Sequence, residues 1–111
     1  MELSTREDGR VTVVTVKGDL TIGDAEASFK KAVTRLIEAG RVHLLVDLQN
    51  VGFLDSSGLG ALVRAMTMTQ REGGQTKLVG VGPQIRKLLE LTKLDSVFEI
   101  HDDLGAAVSS F

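Results

Sequence analysis

The chain has 111 residues, of which 42% are hydrophobic, enough for one core, and its 13 basic and 15 acidic side chains give a net charge of -2. This length predicts one domain, residues 1–111, and the charge argues against direct binding to nucleic acid or to an anionic membrane. The absence of cysteine excludes disulfides, thiolate metal sites and cysteine nucleophiles. No apolar run approaches the ~18 residues that span a bilayer, so we expect a cytoplasmic protein with no membrane partner.

The N-terminal segment has the pattern of a β-hairpin. Asp8-Gly9 lies between two runs of β-prone residues, and glycine accepts the positive φ that a two-residue turn requires. We therefore predict a strand over Val11–Val16, paired with a shorter strand near residues 3–5.

The next segment is predicted to be an amphipathic helix. Its apolar residues recur at helical spacing between Ala25 and Ile37, and charged side chains occupy the other face. Thr21 or Asp24 would cap its first turn, and Gly40 is placed to end it in a left-handed conformation.

The rest of the chain alternates between predicted strands and helices. Strands are predicted over three apolar runs: 42–48, 77–81 and 97–100. Helices are predicted from Leu59 to Gly73-Gly74, from Gly82-Pro83 onward, and through 104–108. Because parallel strands need such crossovers, the fold class is α/β: a single domain with a mixed sheet of four or five strands and about four helices.

One loop carries more polar chemistry than a turn requires. Phe53–Gly60 joins the central predicted strand to the second predicted helix, which is where open α/β sheets place their binding sites. A phosphoryl group on Ser56 or Ser57 would face the free N–H groups and the positive end of that helix. Aspartate and serine are also the preferred N-cap residues, so ordinary capping explains the same composition.

The whole pattern resembles the STAS domain, and most closely the bacterial anti-sigma factor antagonists. The residues that carry the resemblance are the hairpin, the Gly18-Asp19-Leu20 step, the long first helix and above all the run Phe53–Gly60. The segment Gly82–Leu94 is similar to the third helix of the family and its exit. The resemblance extends from about Val11 to Ile100, and it implies a STAS fold for nearly the whole chain.

The resemblance further implies a regulated binding protein without catalytic residues, acting in transcription regulation such as a stress response. Family members bind an anti-sigma factor that is also a serine kinase, and this binding frees the sigma factor. The kinase phosphorylates the hydroxyl residue that corresponds to Ser56, phosphorylation releases the antagonist, and a separate serine phosphatase restores it.

The same resemblance assigns roles around Ser56. Asp55 and Ser57 would shape the acceptor loop, and Gly58 would let the kinase approach closely. The other residues assigned to the loop or the partner-binding surface are Leu59, Gly60, Asp19 and Thr21. Many members have aspartate where this chain has Thr21, so the local charge differs from the family pattern.

Two other functions are weighed against this one. The chain could be a stand-alone STAS scaffold, or an accessory subunit of a signalling assembly or of a lipid or anion transport system. An enzyme that uses the serine loop is disfavoured, because the G-x-S-x-G elbow and a suitably placed histidine base are missing. His43 and His101 lack the spacing of metal ligands and there is no P-loop, so we expect no metal and no cofactor.

Overall fold

Five strands form one mixed sheet in the computed structural model of the chain, which describes all of residues 1–111. The strands are β1 (Glu2–Asp8), β2 (Val11–Lys17), β3 (His43–Asn50), β4 (Gln75–Val79) and β5 (Ile100–His101). The helices are α1 (Asp24–Glu38), α2 (Ser56–Arg71), α3 (Pro83–Leu91) and α4 (Leu104–Ser109). The strands lie in sequence order; β1 is antiparallel to β2, and the other neighbours are parallel. The predicted α/β class is confirmed, as are the mixed sheet and the four helices.

The side chains of each strand alternate between the two faces of the sheet, and each face has its own core. On one face, 19 buried residues pack the strands against α1, α2 and α3. On the other face, α4 buries Ala107 against a smaller group of strand residues: Val11, Val13, Leu45 and Val79. β3 is therefore buried on both sides, which explains its nearly continuous apolar sequence. None of the four helices is both long enough and apolar enough to cross a membrane.

Two of the predicted strands end elsewhere than expected. β4 stops at Val79, because Gly80 adopts a φ of +74° and turns the chain away from the sheet. The last strand covers only Ile100–His101. The N–H groups of Val97 and Phe98 both bond to the carbonyl of Leu94, so neither can bond to β4.

The predicted cap of the first helix is also wrong. Neither Thr21 nor Asp24 caps α1; Gly23 occupies the N-cap position at a φ of +105°, with no side-chain hydrogen bond. The carbonyl of Thr21 instead accepts a hydrogen bond from the N–H of Glu26, 3.1 Å away. A main-chain carbonyl therefore accepts a hydrogen bond from one of the free N–H groups of the first turn, without a capping side chain.

A buried lysine lies beneath the C-terminal helix. The Nζ of Lys77 donates to the carbonyl of Ser110 at 2.8 Å and to its hydroxyl at 3.0 Å, and it forms an ion pair with Glu99 at 2.9 Å. The same carboxylate oxygen lies 2.6 Å from Nε2 of His101. The hydrogen bonds from Lys77 and then from His101 lower the pKa of Glu99 from 4.5 to about 2. Glu99 thus supplies the negative charge that lets Lys77 remain buried.

This arrangement predicts a loss of stability in acid. Because folding lowers the pKa of Glu99 from 4.5 to about 2, its contribution is complete above pH 4.5 and disappears as the pH falls towards 2. We expect Glu99→Gln to lower the free energy of unfolding by about 1 kcal/mol or less at pH 7, since the carboxylate is half-exposed and screened. Urea titrations should show this difference shrinking as the pH falls. The matched control is Glu90→Gln, an exposed change on α3; equal effects of the two variants at every pH would contradict the prediction.

Candidate functional site

Asp55 organises the loop that is predicted to contain the phosphate acceptor. We define this acceptor loop as residues 51–58, from the end of β3 into the first turn of α2. Asp55 is the N-cap of α2, and its Oδ1 accepts a hydrogen bond from the N–H of Gly58 at 2.8 Å. Its Oδ2 accepts another from the N–H of Ile22 at 2.9 Å. These bonds, with that from Gly58 contributing most, lower the pKa of Asp55. One carboxylate therefore starts α2 and ties it to the segment that precedes α1.

That preceding segment, residues 18–22, runs alongside the acceptor loop. The N–H of Gly18 donates to the carbonyl of Asn50 at 2.9 Å, and the N–H of Leu20 donates to the carbonyl of Phe53 at 3.1 Å. An isolated parallel bridge joins Leu20 to Leu54. The two segments thus extend the pairing of β2 and β3 beyond the regular strands.

The residues predicted on this segment lie beside the acceptor loop. Asp19 is exposed, with its Oδ1 3.9 Å from the point where a Cβ on Gly52 would lie. Thr21 is half-buried and directly precedes Ile22, which bonds to Asp55. Asp19 and Thr21 also line a shallow pocket of about 270 Å³ with Asp24 and Ser28. The structure therefore brings the two predicted parts of the site together.

Gly58 has a role within the fold that the sequence did not predict. It is buried, and a Cβ at this position would lie 2.1 Å from the carbonyl oxygen of Leu20 and 2.8 Å from the side chain of Leu54. Glycine is needed here so that α2 can pack against the segment that contains Leu20, and the predicted approach of a kinase at this position stays a prediction. Leu59 is buried in the core, whereas Gly60 is exposed with no atom near its missing Cβ.

The two serines of the loop differ in accessibility. Ser56 is the first residue of α2, its side chain is exposed, and its hydroxyl makes no hydrogen bond within the chain. Ser57, one residue later, is half-buried. Asp55 performs the predicted capping, and the Ser56 hydroxyl is left free at the positive end of the α2 dipole. A phosphoryl group at this position stays a prediction.

One exposed apolar side chain lies within the acceptor loop and another lies on the segment beside it, and sequence reasoning gave neither of them a role of its own. Ile22 is 73% exposed and Phe53 is 46% exposed. Ile22 bonds to Asp55 through its N–H, and Phe53 lies three residues before Ser56 in the chain. The signal in the sequence was an apolar residue at each of two turn positions, outside any helical or strand pattern.

A third residue missed by sequence reasoning supports the loop from α3. The side-chain amide of Gln84 accepts a hydrogen bond from the N–H of Leu54 at 3.1 Å and donates one to its carbonyl at 3.2 Å. The main-chain N–H and carbonyl of Leu54 thus both bond to one side chain 30 residues away. Gln84 fixes the backbone immediately before Asp55 and Ser56.

Comparison with known proteins identifies the family. A family model described as the STAS domain matches residues 2–107. The chain belongs to the STAS domain family. The match covers more of the chain than the segment 11–100 that carries the resemblance in the sequence, and it includes the hairpin and the first part of α4. No group of three or more His, Asp or Glu side chains in this STAS domain is placed to hold a metal ion.

Relatives of this STAS domain include named antagonists. A STAS-domain containing protein of Pseudomonas aeruginosa is 31% identical over 93 residues, which are 84% of this chain and 90% of the relative. The anti-sigma-B factor antagonist of Bacillus subtilis is 30% identical over 87 residues, which are 78% of each protein. The crystal structure of a candidate anti-sigma factor antagonist from Thermotoga maritima is 25% identical with a TM-score of 0.91, covering 97% of this chain and 92% of that one.

Proposed function

We propose that this STAS domain is an anti-sigma factor antagonist, a cytoplasmic binding protein and not an enzyme. It binds an anti-sigma factor that is also a serine kinase, and phosphorylation of Ser56 ends the binding. The observation that carries the proposal is the free, exposed hydroxyl of Ser56 at the start of α2, in a loop that also exposes the apolar side chain of Phe53. The 30% identity to the antagonist of Bacillus subtilis supports the class of partner.

The surface around Ser56 has the composition of a protein-binding site. Ile22 and Phe53 expose apolar area that has no neighbour within the chain, and such area is typical of the anchor positions of an interface. Asp19 and Asp55 supply carboxylates at the same edge. We therefore assign the docking surface to Ile22, Phe53 and the acceptor loop, with Asp19 and Thr21 at its margin.

Phosphorylation can act on binding while leaving the fold intact. A phosphoserine adds about −1.5 to −2 charges at neutral pH. At position 56 this charge meets the positive end of the α2 dipole, which tolerates an anion. Towards a docked partner, the same group would add bulk and place further negative charge beside the carboxylate of Asp55. A separate serine phosphatase would reverse the modification, and the antagonist itself needs no cofactor.

The accessible hydroxyl predicts which serine is modified. We expect treatment with the cognate anti-sigma kinase and ATP to place one phosphate on Ser56, because Ser57 is half-buried. Peptide mapping by mass spectrometry identifies the position. Ser57→Ala should remain a substrate and Ser56→Ala should not. Phosphate found mainly on Ser57 would refute the assignment.

A further inference from the structure

The sheet has an open edge at β1, far from β5. All the residues of β1 except Leu3 are exposed, and the strand pairs with β2 from Glu2 to Asp8 without a bulge. No proline interrupts the strand. Edge strands of this kind can pair with another strand unless bulges, prolines or charges prevent it. Only charges protect β1, so their arrangement decides what can pair with it.

The hairpin geometry determines which main-chain groups of β1 are free. Gly9, at a φ of +61°, and Arg10 form a two-residue turn closed by the pair Asp8–Val11. The closing pair of such a turn exchanges hydrogen bonds, and bonded and non-bonded pairs then alternate along the strand. Leu3, Thr5 and Glu7 therefore direct their N–H and carbonyl groups away from β2, towards solvent.

We propose that β1 is a dimerisation strand, and that a second copy of this chain pairs with it antiparallel about a two-fold axis at Ser4. In this register Leu3 of each copy lies opposite Thr5 of the other, in pairs that exchange main-chain hydrogen bonds. Glu2 of each copy lies opposite Arg6 of the other, in the closer, non-bonded pairs. The dimer then has two opposite-charge contacts, one on each side of the axis, on the α4 face of the sheet.

The charges favour this register over its neighbours. Two adjacent registers also keep the free groups opposite each other. An axis at Leu3 would place Glu2 opposite Ser4 and so lose both opposite-charge pairs, and an axis at Thr5 would place Leu3 opposite Glu7 and Glu2 opposite Asp8. The pair of Glu2 and Asp8 is repulsive. With the axis at Ser4, Arg6 meets the carboxylate of Glu2 while keeping its own contact with Asp8, 3.5 Å away.

The α1 face of the same edge offers space for the contact. A groove of about 310 Å³ runs between β1 and α1, lined by Leu3, Ser4, Thr5, Ala32, Arg35 and Leu36. Pairing about Ser4 would bring the grooves of the two copies together and cover the half-exposed side chain of Leu3. The two-fold axis uses the β1 edge of both copies, so only the β5 edges remain open. Because β5 has only two residues with which to pair further, the assembly closes at two copies.

The dimer would leave both acceptor loops accessible. β1 begins near these loops, since a Cβ on Gly18 would lie 3.3 Å from the Cα of Met1. An antiparallel contact through β1 reverses the direction of the second copy, so the two loops lie at opposite ends of one continuous sheet. The dimer could therefore present two Ser56 hydroxyls to two partners.

A pair of charge reversals tests the proposal. Glu2→Arg places arginine opposite arginine in its own dimer, and Arg6→Glu places glutamate opposite glutamate. In an equimolar mixture, however, every contact between the two variants pairs opposite charges. We expect sedimentation velocity over a concentration series to show a monomer–dimer equilibrium for the natural chain. Each variant alone should dimerise about tenfold more weakly or worse, and the mixture should regain the natural affinity.

Two controls separate this result from other effects. Glu38→Arg makes the same charge change as Glu2→Arg at the exposed end of α1 and should leave dimerisation unchanged. Thermal unfolding of each variant shows that it is folded, as expected for changes at exposed positions of an edge strand. A natural chain that stays monomeric at millimolar concentration would overturn the proposal. So would a mixture of the two variants that associates no better than either variant alone.

Discussion

Phosphorylation of Ser56 is expected to weaken binding to the anti-sigma factor kinase by roughly thirtyfold to several thousandfold. Ser56 is exposed and directly follows Asp55, which caps α2, and the proposed docking surface includes the exposed side chains of Ile22 and Phe53. Disrupting a close, desolvated polar contact at an interface costs roughly 2–5 kcal/mol, and about 1.4 kcal/mol corresponds to tenfold in affinity. The added charge therefore acts at the position where the partner must exclude water.

Variants of Ser56 distinguish the effect of added charge on binding from the effect of losing the hydroxyl. Ser56→Ala should bind as tightly as the natural chain and should no longer be released by ATP. Ser56→Asp carries less charge than a phosphate, so it should show only part of the loss. Calorimetry with the anti-sigma factor at fixed nucleotide concentration measures all four forms. Equal affinity of the phosphorylated and unmodified chains would refute the switch while leaving the STAS fold unaffected.

Gly58→Ala is expected to destabilise the fold by about 1–3 kcal/mol or more. The added Cβ would lie 2.1 Å from the carbonyl oxygen of Leu20, which is main chain and cannot rotate away. To relieve this steric clash, α2 would have to move away from the segment 18–22. That movement would also stretch the hydrogen bond between Asp55 and Ile22. We therefore expect loss of stability together with loss of partner binding.

Gly60→Ala is the matched control, two residues along the same helix. Its Cβ would meet no atom within 4 Å, and alanine is the better helix former, so stability should rise by up to about 1 kcal/mol. Ser56→Asp should change stability by less than roughly 1 kcal/mol, since a helix N-terminus accepts negative charge. Urea titrations compare the three variants. A Gly58→Ala variant as stable as Gly60→Ala would show that the contact with Leu20 is not required.

Local patterns in the sequence were sufficient to predict the architecture of the domain. The turn at Asp8-Gly9, the helical spacing from Ala25 to Ile37 and the continuous apolar run of β3 each depend on residues close together in the chain. Their periods match the geometry of hairpins, amphipathic helices and strands buried on both faces. The run Phe53–Gly60 located the acceptor loop for the same reason, because a strand, a capping residue and a helix follow one another there.

Contacts between distant residues decided what the sequence could not. Asp55 bonds to Ile22 across 33 residues, and Gln84 bonds to Leu54 across 30. Gly58 is required because of a carbonyl that belongs to another segment, and the difference in exposure between Ser56 and Ser57 arises from the same packing. The strand β5 is short because the carbonyl of Leu94 accepts hydrogen bonds from the N–H groups of Val97 and Phe98, which precede β5. Each of these features depends on which main-chain groups come into contact after folding. Local periodicity and composition do not predict such contacts.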